Sequence, residues 1–452
     1  MLFFVFRKHR HHSRPKPWFW TGLLGFCMAL NAAAEENFSF DLSAYQKKPY
    51  ELNGRMDLMA TQIQVNGGSA YSHLAFKGDS AEDFIRYNGE LELEGLYRWE
   101  QSSVHARTLS QWQDDVFKQT TEHTLQEAYW HTQASERWQF ELGKRAVKWG
   151  KGYAWNPVGF VERPKNPDEP EQNREGFVLA GTTYTRSFSA PSQATENSTG
   201  LLKTVSASLY VLPVNENLNE ELALSQQDID NALQWTAKLY ALVGQTDLEF
   251  YLHQSSDGIR DTGLSFASNL ASNLEIHGDF AWLDPRNRLT IDADSGTLES
   301  EQRGRFQGLI GLRYLSPNDT TWIAEWLYSP QNPSETELNT FYQFAKAEPN
   351  TPEFQLAQLA KSAYSQTPPG EHALYLRISQ KDFWDQVYLN AALTGFYNPL
   401  DHSYSLTPEL SYSGYKNLEL RLRSSWLQGA QNSEWGEKLS GFKTELRARL
   451  FF

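Results

Sequence analysis

The sequence predicts an all-β fold, a single large antiparallel transmembrane β-barrel of about 18 strands, within a range of roughly 16–20. Three observations indicate this fold class. The chain ends on an alternating strand whose last residue is aromatic, similar alternating segments recur along the chain, and the gaps between them are alternately short and long. For the ending alone, an edge strand of a soluble β-sandwich is the alternative interpretation.

The last strand separates apolar from charged side chains with a period of two. Its apolar face carries Phe442, Leu446, Leu450 and Phe452. Its charged face carries Lys443, Glu445, Arg447 and Arg449. In a closed barrel the two faces meet lipid and lumen. This ending resembles the C-terminal recognition signal of Gram-negative outer-membrane barrels, which implies that the four apolar residues form an assembly signal for the barrel assembly machinery.

The first 34 residues are interpreted as a secretory signal peptide for Sec export, which leaves residues 35–452 for the barrel. Cations precede a short apolar run, Trp18 to Leu30, and Asn31 to Ala34 supply small residues for cleavage. The apolar run is too short to span a bilayer as a helix. The single cysteine, Cys27, lies in this segment, so the mature chain cannot depend on disulfides.

The mature chain is acidic. The whole sequence has 41 Lys and Arg against 55 Asp and Glu, and removing the five cations of residues 1–34 leaves 36 cations, a net charge of about −19. Such a surface argues against nucleic-acid binding. Mean hydropathy is −0.59, and no later segment is apolar enough for a transmembrane helix. The chain is then either a soluble periplasmic protein or a barrel whose hydrophobicity is hidden by alternation.

Alternation recurs at 90–99, 274–282, 305–314 and 418–426. Charged side chains fill the second face at a density that a packed core does not tolerate without pairing, and a wet lumen accounts for them. The candidate pore-lining residues are Glu90, Glu92, Glu94, Glu275, His277, Asp279, Arg421, Arg423, Lys443, Arg447 and Arg449. Aromatic residues near the segment ends, among them Trp99, Trp282 and Trp326, suit girdles at the membrane interfaces.

Gap lengths provide the third observation. Counting back from Phe452, short gaps alternate with longer ones, as periplasmic turns and outer loops do when the C-terminus faces the periplasm. Long outer loops are predicted at 148–175, 214–232, 285–304 and 329–370. The gap at 188–200 is too long for a periplasmic turn and is the exception. Within 329–370, Thr351-Pro-Glu353 predicts the start of a short helix. This helix either plugs the mouth or lies across it, or else forms an external cap.

The sharpest local feature runs from Gly143 to Pro157 and contains Trp149-Gly150 and Asn156-Pro157. It resembles the Trp-Gly…Asn-Pro loop of several porin-like outer-membrane families. Together with segments such as 48–54, 275–278 and 417–423 and the terminal Phe452, it resembles a family of uncharacterised proteobacterial outer-membrane barrels over nearly the whole mature chain. The resemblance implies a barrel in the outer membrane and a channel, with no known substrate and no catalytic residues.

The loop after this feature mixes permissive, rigid and charged positions. Gly150 and Gly152 allow a tight departure from the strand, and several prolines stiffen the segment between 157 and 170. The candidate constriction residues are Trp149, Gly150, Arg163, Lys165, Asp168 and Arg174. A stiff charged loop that folds into the barrel narrows and polarises a pore. The alternative is an outer loop whose charges meet only water.

No enzyme, cofactor or metal site is expected. His277 lies between Glu275 and Asp279, but residues two apart on a strand sit roughly 6.5–7 Å apart, which is too far for a direct proton relay. A lumenal polar ladder is therefore the better interpretation. Residues 292–296 resemble a calcium loop but lack its later ligands, and an acidic outer loop that divalent cations bridge to lipopolysaccharide is expected instead.

Three functions remain open. The first is an outer-membrane channel for passive diffusion of small hydrophilic solutes, surrounded by lipid and lipopolysaccharide, with homo-oligomerisation undecided. The second is a non-conducting scaffold for a partner or an envelope complex, and the third, with the least support, is an outer-membrane hydrolase. For a channel, the basic stripe of the last two strands and the acidic stripe at Glu90, Glu92 and Glu94 are expected to oppose each other across the pore, which favours polar or zwitterionic solutes. Salt-bridge ladders that only stiffen the wall are the alternative.

Overall fold

Twenty strands and three α-helices make up the computed structural model, which describes residues 48–188, 201–222, 232–255, 258–292, 296–303, 306–365 and 370–452. The strands are β1 Tyr50–Val65, β2 Phe84–Trp99, β3 Ser102–Asp114, β4 Gln119–Gln133, β5 Trp138–Arg145, β6 Phe177–Ser187, β7 Leu202–Val214, β8 Ala232–Val243, β9 Thr246–Gln254, β10 Arg260–Ala271, β11 Leu274–Trp282, β12 Arg286–Asp292, β13 Thr297–Arg303, β14 Phe306–Leu315, β15 Thr320–Tyr328, β16 His372–Gln380, β17 Leu389–Tyr397, β18 Tyr404–Tyr415, β19 Leu418–Gln428 and β20 Ser440–Phe451. The helices are α1 Ala70–Phe76, α2 Glu335–Ala345 and α3 Pro352–Tyr364.

Eighteen of the strands form one closed antiparallel barrel, which confirms the predicted fold class. Each strand pairs with its neighbours in chain order, and β1 pairs with β20 to close the ring. The remaining two strands, β12 and β13, form a separate hairpin. The predicted signal peptide and a further strand considered at residues 38–45 lie outside the described residues. No helix in the described part of the chain is long and apolar enough to cross a membrane.

The two faces of the wall differ as the alternation predicts. In β20, the side chain of Leu446 faces outward with 60% of its surface exposed, whereas the neighbouring Arg447 is 7% exposed and faces the lumen. Outward aromatic residues gather at both ends of the strands, with Trp99 and Trp322 at one end and Trp282 and Trp426 at the other. An apolar band between two aromatic belts is the outer surface that a membrane-spanning barrel requires.

The connections also segregate by length. One end of the barrel carries turns such as 100–101, 244–245 and 272–273, together with Phe452, while the other carries connections such as 146–176 and 329–371. The connection at 188–201 lies at the short-turn end, so it remains the exception; its residues 189–200 fall outside the described residues. The predicted loop at 285–304 contains the β12–β13 hairpin rather than irregular chain.

The C-terminal residue completes the barrel seam. The backbone of Phe452 exchanges two hydrogen bonds with Gly54 of β1, at 2.7 and 3.0 Å. Its aromatic ring covers Gly54 so closely that a Cβ atom there would overlap it. The absence of a side chain at Gly54 lets the terminal ring lie flat on this strand, and a larger residue there would displace the ring. The assembly role of Phe442, Leu446, Leu450 and Phe452 stays a prediction.

A small apolar core spans the long-loop end. We call this assembly of α1, α2, α3 and the β12–β13 hairpin the roof. Its buried residues come from three connections, those between β1 and β2, β11 and β14, and β15 and β16. In the ring of strands, β11 stands opposite β2. Residues from opposite sides of the barrel therefore meet over the mouth. The predicted helix, α3, is part of this roof and so lies across the mouth.

Local signals explain the roof helices. Thr351 caps α3 and accepts a hydrogen bond from the backbone N–H of Phe354, with Pro352 in the first turn, as predicted. Helix α2 was not predicted, although Ser334 and Glu337 form a capping box at its start. Inside the roof, the rings of Phe341 and Tyr364 stack with centroids 4.5 Å apart. The Tyr71 hydroxyl of α1 donates to the carbonyl of Tyr364 at 2.5 Å.

Candidate pore constriction

The connection between β5 and β6, residues 146–176, folds into the lumen and is here called the constriction loop. Asn173 near its end donates to Glu92 of β2 at 3.2 Å. Lys151 near its start donates through its backbone N–H to Asp279 of β11 at 2.9 Å. Because β2 and β11 stand on opposite sides of the ring, the loop crosses the whole lumen. The inward alternative of the two predicted for this loop is the one observed.

Carboxylates of the wall hold the backbone of the loop. Asp279 accepts from the N–H groups of both Lys151 and Gly152 at 2.9 Å. Glu325 of β15 accepts from the N–H of Ala154 at 2.8 Å and from that of Tyr153. Buried carboxylates that receive several N–H groups make charge-assisted hydrogen bonds, which are stronger than neutral ones. The loop is therefore held by specific polar contacts along consecutive residues.

Gly150 is the point where the loop turns away from its strand. Its φ of +84° lies in the left-handed region, and a Cβ atom there would come within 2.8 Å of the Asp279 carboxylate. A residue without a side chain is needed for both reasons. The backbone N–H of Gly150 also donates to the Tyr251 hydroxyl at 3.0 Å. The predicted use of this glycine agrees with its conformation.

Two apolar clusters fasten the loop to the wall. Trp149 is 4% exposed and packs against Tyr210 and Tyr251, with ring centroids 6.0 and 5.2 Å apart. Trp155 packs against Tyr375 and Phe396 at 5.9 and 6.3 Å. Trp149 was a candidate constriction residue, but the structure places it in an anchor. The aromatic residues of the motif thus fix the loop to the wall.

The second half of the loop meets the basic wall. Glu169 accepts hydrogen bonds from Arg423 at 3.0 Å and from Arg447 at 3.1 Å, and lies 3.9 Å from Arg421. These arginines belong to β19 and β20. One loop carboxylate is therefore surrounded by three guanidinium groups. Glu169 belongs to the charged stretch predicted for this loop but was not among the candidate constriction residues.

Ion pairs within the loop brace its shape. Arg174 pairs with Glu162 and donates to the carbonyl of Arg163 at 3.0 Å. Arg163 in turn lies 3.2 Å from Glu175. The ammonium group of Lys165 donates to the carbonyl of Gly152. Among the candidate constriction residues, these three cations thus hold the loop together. Asp168 is partly buried, and its carboxylate has no hydrogen bond or ion pair in the described part of the chain.

The predicted opposition of the acidic and basic stripes is wrong. Only β1 separates β2 from β20, so the stripes lie side by side on one wall. Arg55 of β1 lies 3.4 Å from Glu92, and Arg449 donates to Asp57 of β1 at 2.7 and 2.8 Å. These contacts form the cross-strand salt-bridge ladder that was the alternative. The charge opposite the basic wall comes from Glu169 of the constriction loop.

The three residues of β11 that suggested a hydrolase have separate partners. His277 is 3% exposed, and its Nε2 atom lies 2.9 Å from the Glu325 carboxylate. Asp279 binds the loop backbone, and Glu275 lies 3.5 Å from the other ring nitrogen of His277. Ser265 of β10 stands opposite Asp279 in the strand pairing, but Asp279 is engaged by the N–H groups of the loop, and the group positions the loop. Glu325 was missed; its signal is an acid at an inward position between the buried Ile323 and Leu327.

A cavity of about 260 Å³ remains between the constriction loop and the wall. It lies between residues 166–172 and the strands β1, β2, β19 and β20. Its charged lining residues are Arg86, Glu90, Asp168, Glu169, Arg423, Lys443, Glu445 and Arg447. Four are cations and four are anions, so the cavity is polar with no formal net charge. It is called the wall cavity below.

The connection 429–439, between β19 and β20, ties the roof to the barrel. Glu437 is 1% exposed and accepts from the N–H groups of Ala70 and Asn432 at 2.6 Å, as well as from Lys346. Glu434 is equally buried, and burial raises its pKa to about 7. Trp435 packs on Phe396, 5.6 Å away. The connection 429–439 and the constriction loop therefore share one aromatic cluster.

Comparisons with known proteins identify similar solved structures but no family. No protein-family model and no curated protein matches the chain, and no group of side chains in the described ranges has the composition of a metal site. OccK5 (OpdH) of Pseudomonas aeruginosa is 10% identical with a TM-score of 0.46, and the match covers 89% of this chain and 98% of that one.

Two other barrels show the same degree of likeness. Wzi of Escherichia coli, described as a carbohydrate-binding outer-membrane β-barrel involved in group 1 capsule assembly, is 10% identical with a TM-score of 0.49, covering 88% of this chain and 84% of that one. A triple mutant of the Rhodopseudomonas blastica porin is 9% identical with a TM-score of 0.40, covering 89% and 100%. The likeness concerns the fold alone.

Proposed function

We propose that the protein is a narrow channel for small hydrophilic solutes in the outer membrane of a Gram-negative bacterium. The observation that carries this proposal is the charged wall cavity beside a loop that crosses the lumen. A barrel whose only role is structural has no need of balanced, partly solvated charges around an unfilled space. A loop fixed by wall carboxylates keeps such a passage at a set width.

Planar-bilayer recording of the purified protein tests the channel. We expect small conductance steps in potassium chloride and slow passage of sugars in a swelling assay, since the constriction loop occupies most of the lumen. If the barrel shows no conductance even when substitutions weaken both the roof and the loop anchors, it is not a channel.

The roof supports a second candidate, a closed barrel that presents its outer face to a partner. A folded apolar core across the mouth is a surface as well as an obstruction. The same recordings separate the two functions, because the scaffold predicts silence in every variant. An enzyme is not proposed, since the candidate catalytic group on β11 is engaged in holding the loop.

Location and assembly belong to the same proposal. It includes export by a Sec signal peptide at residues 1–34, insertion by the barrel assembly machinery through the last strand, and contact with lipid and lipopolysaccharide, and homo-oligomerisation is compatible with it. The protein is expected to resist carbonate extraction and to migrate on gels differently before and after boiling. Recovery as a soluble periplasmic monomer contradicts this proposal.

A further inference from the structure

We propose that the wall cavity binds a small dipolar ion, an amino-acid-like solute with one carboxylate and one ammonium group. This inference deepens the proposed channel, on which it rests, by naming the solute class. It depends on which charges of the cavity already have partners. The proposal depends on two opposite charges that line the same cavity and have no hydrogen bond or ion pair.

Six of the eight charged lining residues are paired. Arg86 lies 2.9 Å from Asp115, and Glu90 lies 3.9 Å from Arg55 and accepts from Gln111 at 3.1 Å. Glu169 receives Arg423 and Arg447, and Glu445 lies 3.0 Å from Arg447. Each of the six therefore has an opposite charge at 3.9 Å or less, inside or outside the lining, and they give a solute no strong net attraction of either sign.

Lys443 and Asp168 are the two that remain. Neither the ammonium group of Lys443 nor the carboxylate of Asp168 has a hydrogen bond or ion pair anywhere in the part of the chain that the structure describes. Lys443 stands on the wall in β20, and Asp168 stands on the constriction loop. Both are partly buried. The ammonium group of Lys438 also acts electrostatically on Asp168, but from beyond ion-pair distance. One cation and one anion, each without a hydrogen bond or ion pair and on different sides of the same cavity, match the two ends of a dipolar ion.

The surroundings limit the solute further. The uncharged lining consists mainly of polar side chains, Thr61, Asn88, Asn166, Gln172 and Ser425. At about 260 Å³, the cavity is below the roughly 300–1,000 Å³ of sites for drug-sized ligands. A solute the size of an amino acid fits, with its carboxylate at Lys443 and its ammonium group at Asp168. A simple anion or cation leaves one of the two charges without a partner.

Isothermal calorimetry that measures the binding of small solutes to the full chain in detergent tests the site without requiring conduction. The probes are glycine, β-alanine and γ-aminobutyrate, which differ in charge separation, with propionate, ethylammonium and propionamide as single-charge and neutral controls. We expect at least one dipolar probe to bind about tenfold more tightly than every control, as one additional charged contact implies.

Substitutions assign the two charges. Lys443→Gln and Asp168→Asn should each weaken the preferred probe by roughly tenfold, whereas Lys381→Gln, an exposed cation in a short turn, should leave it unchanged. The exchange Lys443→Glu with Asp168→Lys should restore part of the affinity in a barrel that still shows heat-dependent gel migration. Dipolar probes that bind no better than propionate, or variants without effect, overturn the site. If the probe binds but the barrel never conducts, the binding site is supported and the channel is rejected. If the barrel conducts but no probe binds, the channel is supported and the binding site is rejected.

Discussion

The constriction loop and the roof both occupy the long-loop end of the barrel, and different forces hold them. The loop is anchored residue by residue to the wall, with its backbone N–H groups on Asp279 and Glu325. The roof is a separate apolar core with stacked aromatic rings and its own helix caps. A polar anchor on a rigid wall fixes a position, whereas a small core of loops can open as one unit by local unfolding. The two obstructions should therefore respond to different perturbations.

The largest expected effect is on the roof. Phe341 is fully buried and stacks on Tyr364, so Phe341→Ala should destabilise the roof by about 3–5 kcal/mol. Hydrogen exchange at 335–364 should rise while the barrel strands stay protected. Leu359→Ala, at a side chain 69% exposed on α3, is the matched control. Equal exchange in strands and roof means that the two are one cooperative unit.

The loop anchor should yield a somewhat smaller effect with a different readout. Glu325→Ala leaves the N–H groups of Tyr153 and Ala154 and the ring of His277 without their acceptor, which costs about 1.5–3 kcal/mol. The loop should then move, and single-channel conductance should increase. Glu136→Ala, in an exposed short turn, is the control. An unchanged conductance with a folded barrel shows that the loop does not limit passage.

Charge at the loop–wall contact should matter for selectivity more than for stability. Glu169→Gln removes the one carboxylate shared by Arg421, Arg423 and Arg447. The wall cavity gains net positive charge, so the reversal potential under a salt gradient should shift toward anions, with a permeability ratio changed by roughly threefold. Glu136→Gln provides the control with the same change in net charge. A shift of the same size in both variants assigns the effect to overall charge.

The smallest effect concerns pH and the attachment of the roof. Burial raises the pKa of Glu434 from its usual 4.5 to about 7, Lys438 lowers it, and Asp401 raises it. The folded state binds the proton of Glu434 more tightly than the unfolded state does, so protonation of Glu434 stabilises the fold. This stabilisation is complete below about pH 4.5 and is lost as the pH rises through about 7. Exchange in the roof, corrected for intrinsic rates, should therefore be several-fold faster at pH 8 than at pH 5. Glu434→Gln should remove that dependence, and a dependence that persists assigns it to another group.

The predictable parts of the molecule are those with a local cause. The inward and outward faces of β20 follow from strand geometry, which places Leu446 and Arg447 on opposite sides whatever surrounds them. The start of α3 at Thr351 follows from capping, which involves four consecutive residues. Gly150 follows from the same kind of local demand on φ.

The site was less accessible to prediction because its contacts join distant residues. Glu169 and Arg447 are far apart in the chain, and only the closure of β1 onto β20 brings the acidic stripe of β2 beside the basic one. The expected opposition across the pore was therefore wrong, although each stripe lies on the lumenal face. In the sequence, Glu325 is indistinguishable from the other lumenal acids. Its role depends on the loop N–H groups that it accepts, which come from residues far away in the chain.

The sequence by itself determined the barrel, the facing of its strands and the end at which the long connections lie, because a period of two and the length of a turn are properties of neighbouring residues. Tertiary structure alone decided that the connection 146–176 crosses the lumen and that three loops build a roof. It also decided which charges of the wall cavity have no ion pair. Those outcomes depend on ring closure, which places residues of β2 opposite those of β11. No local pattern along the chain encodes the distance across a closed sheet.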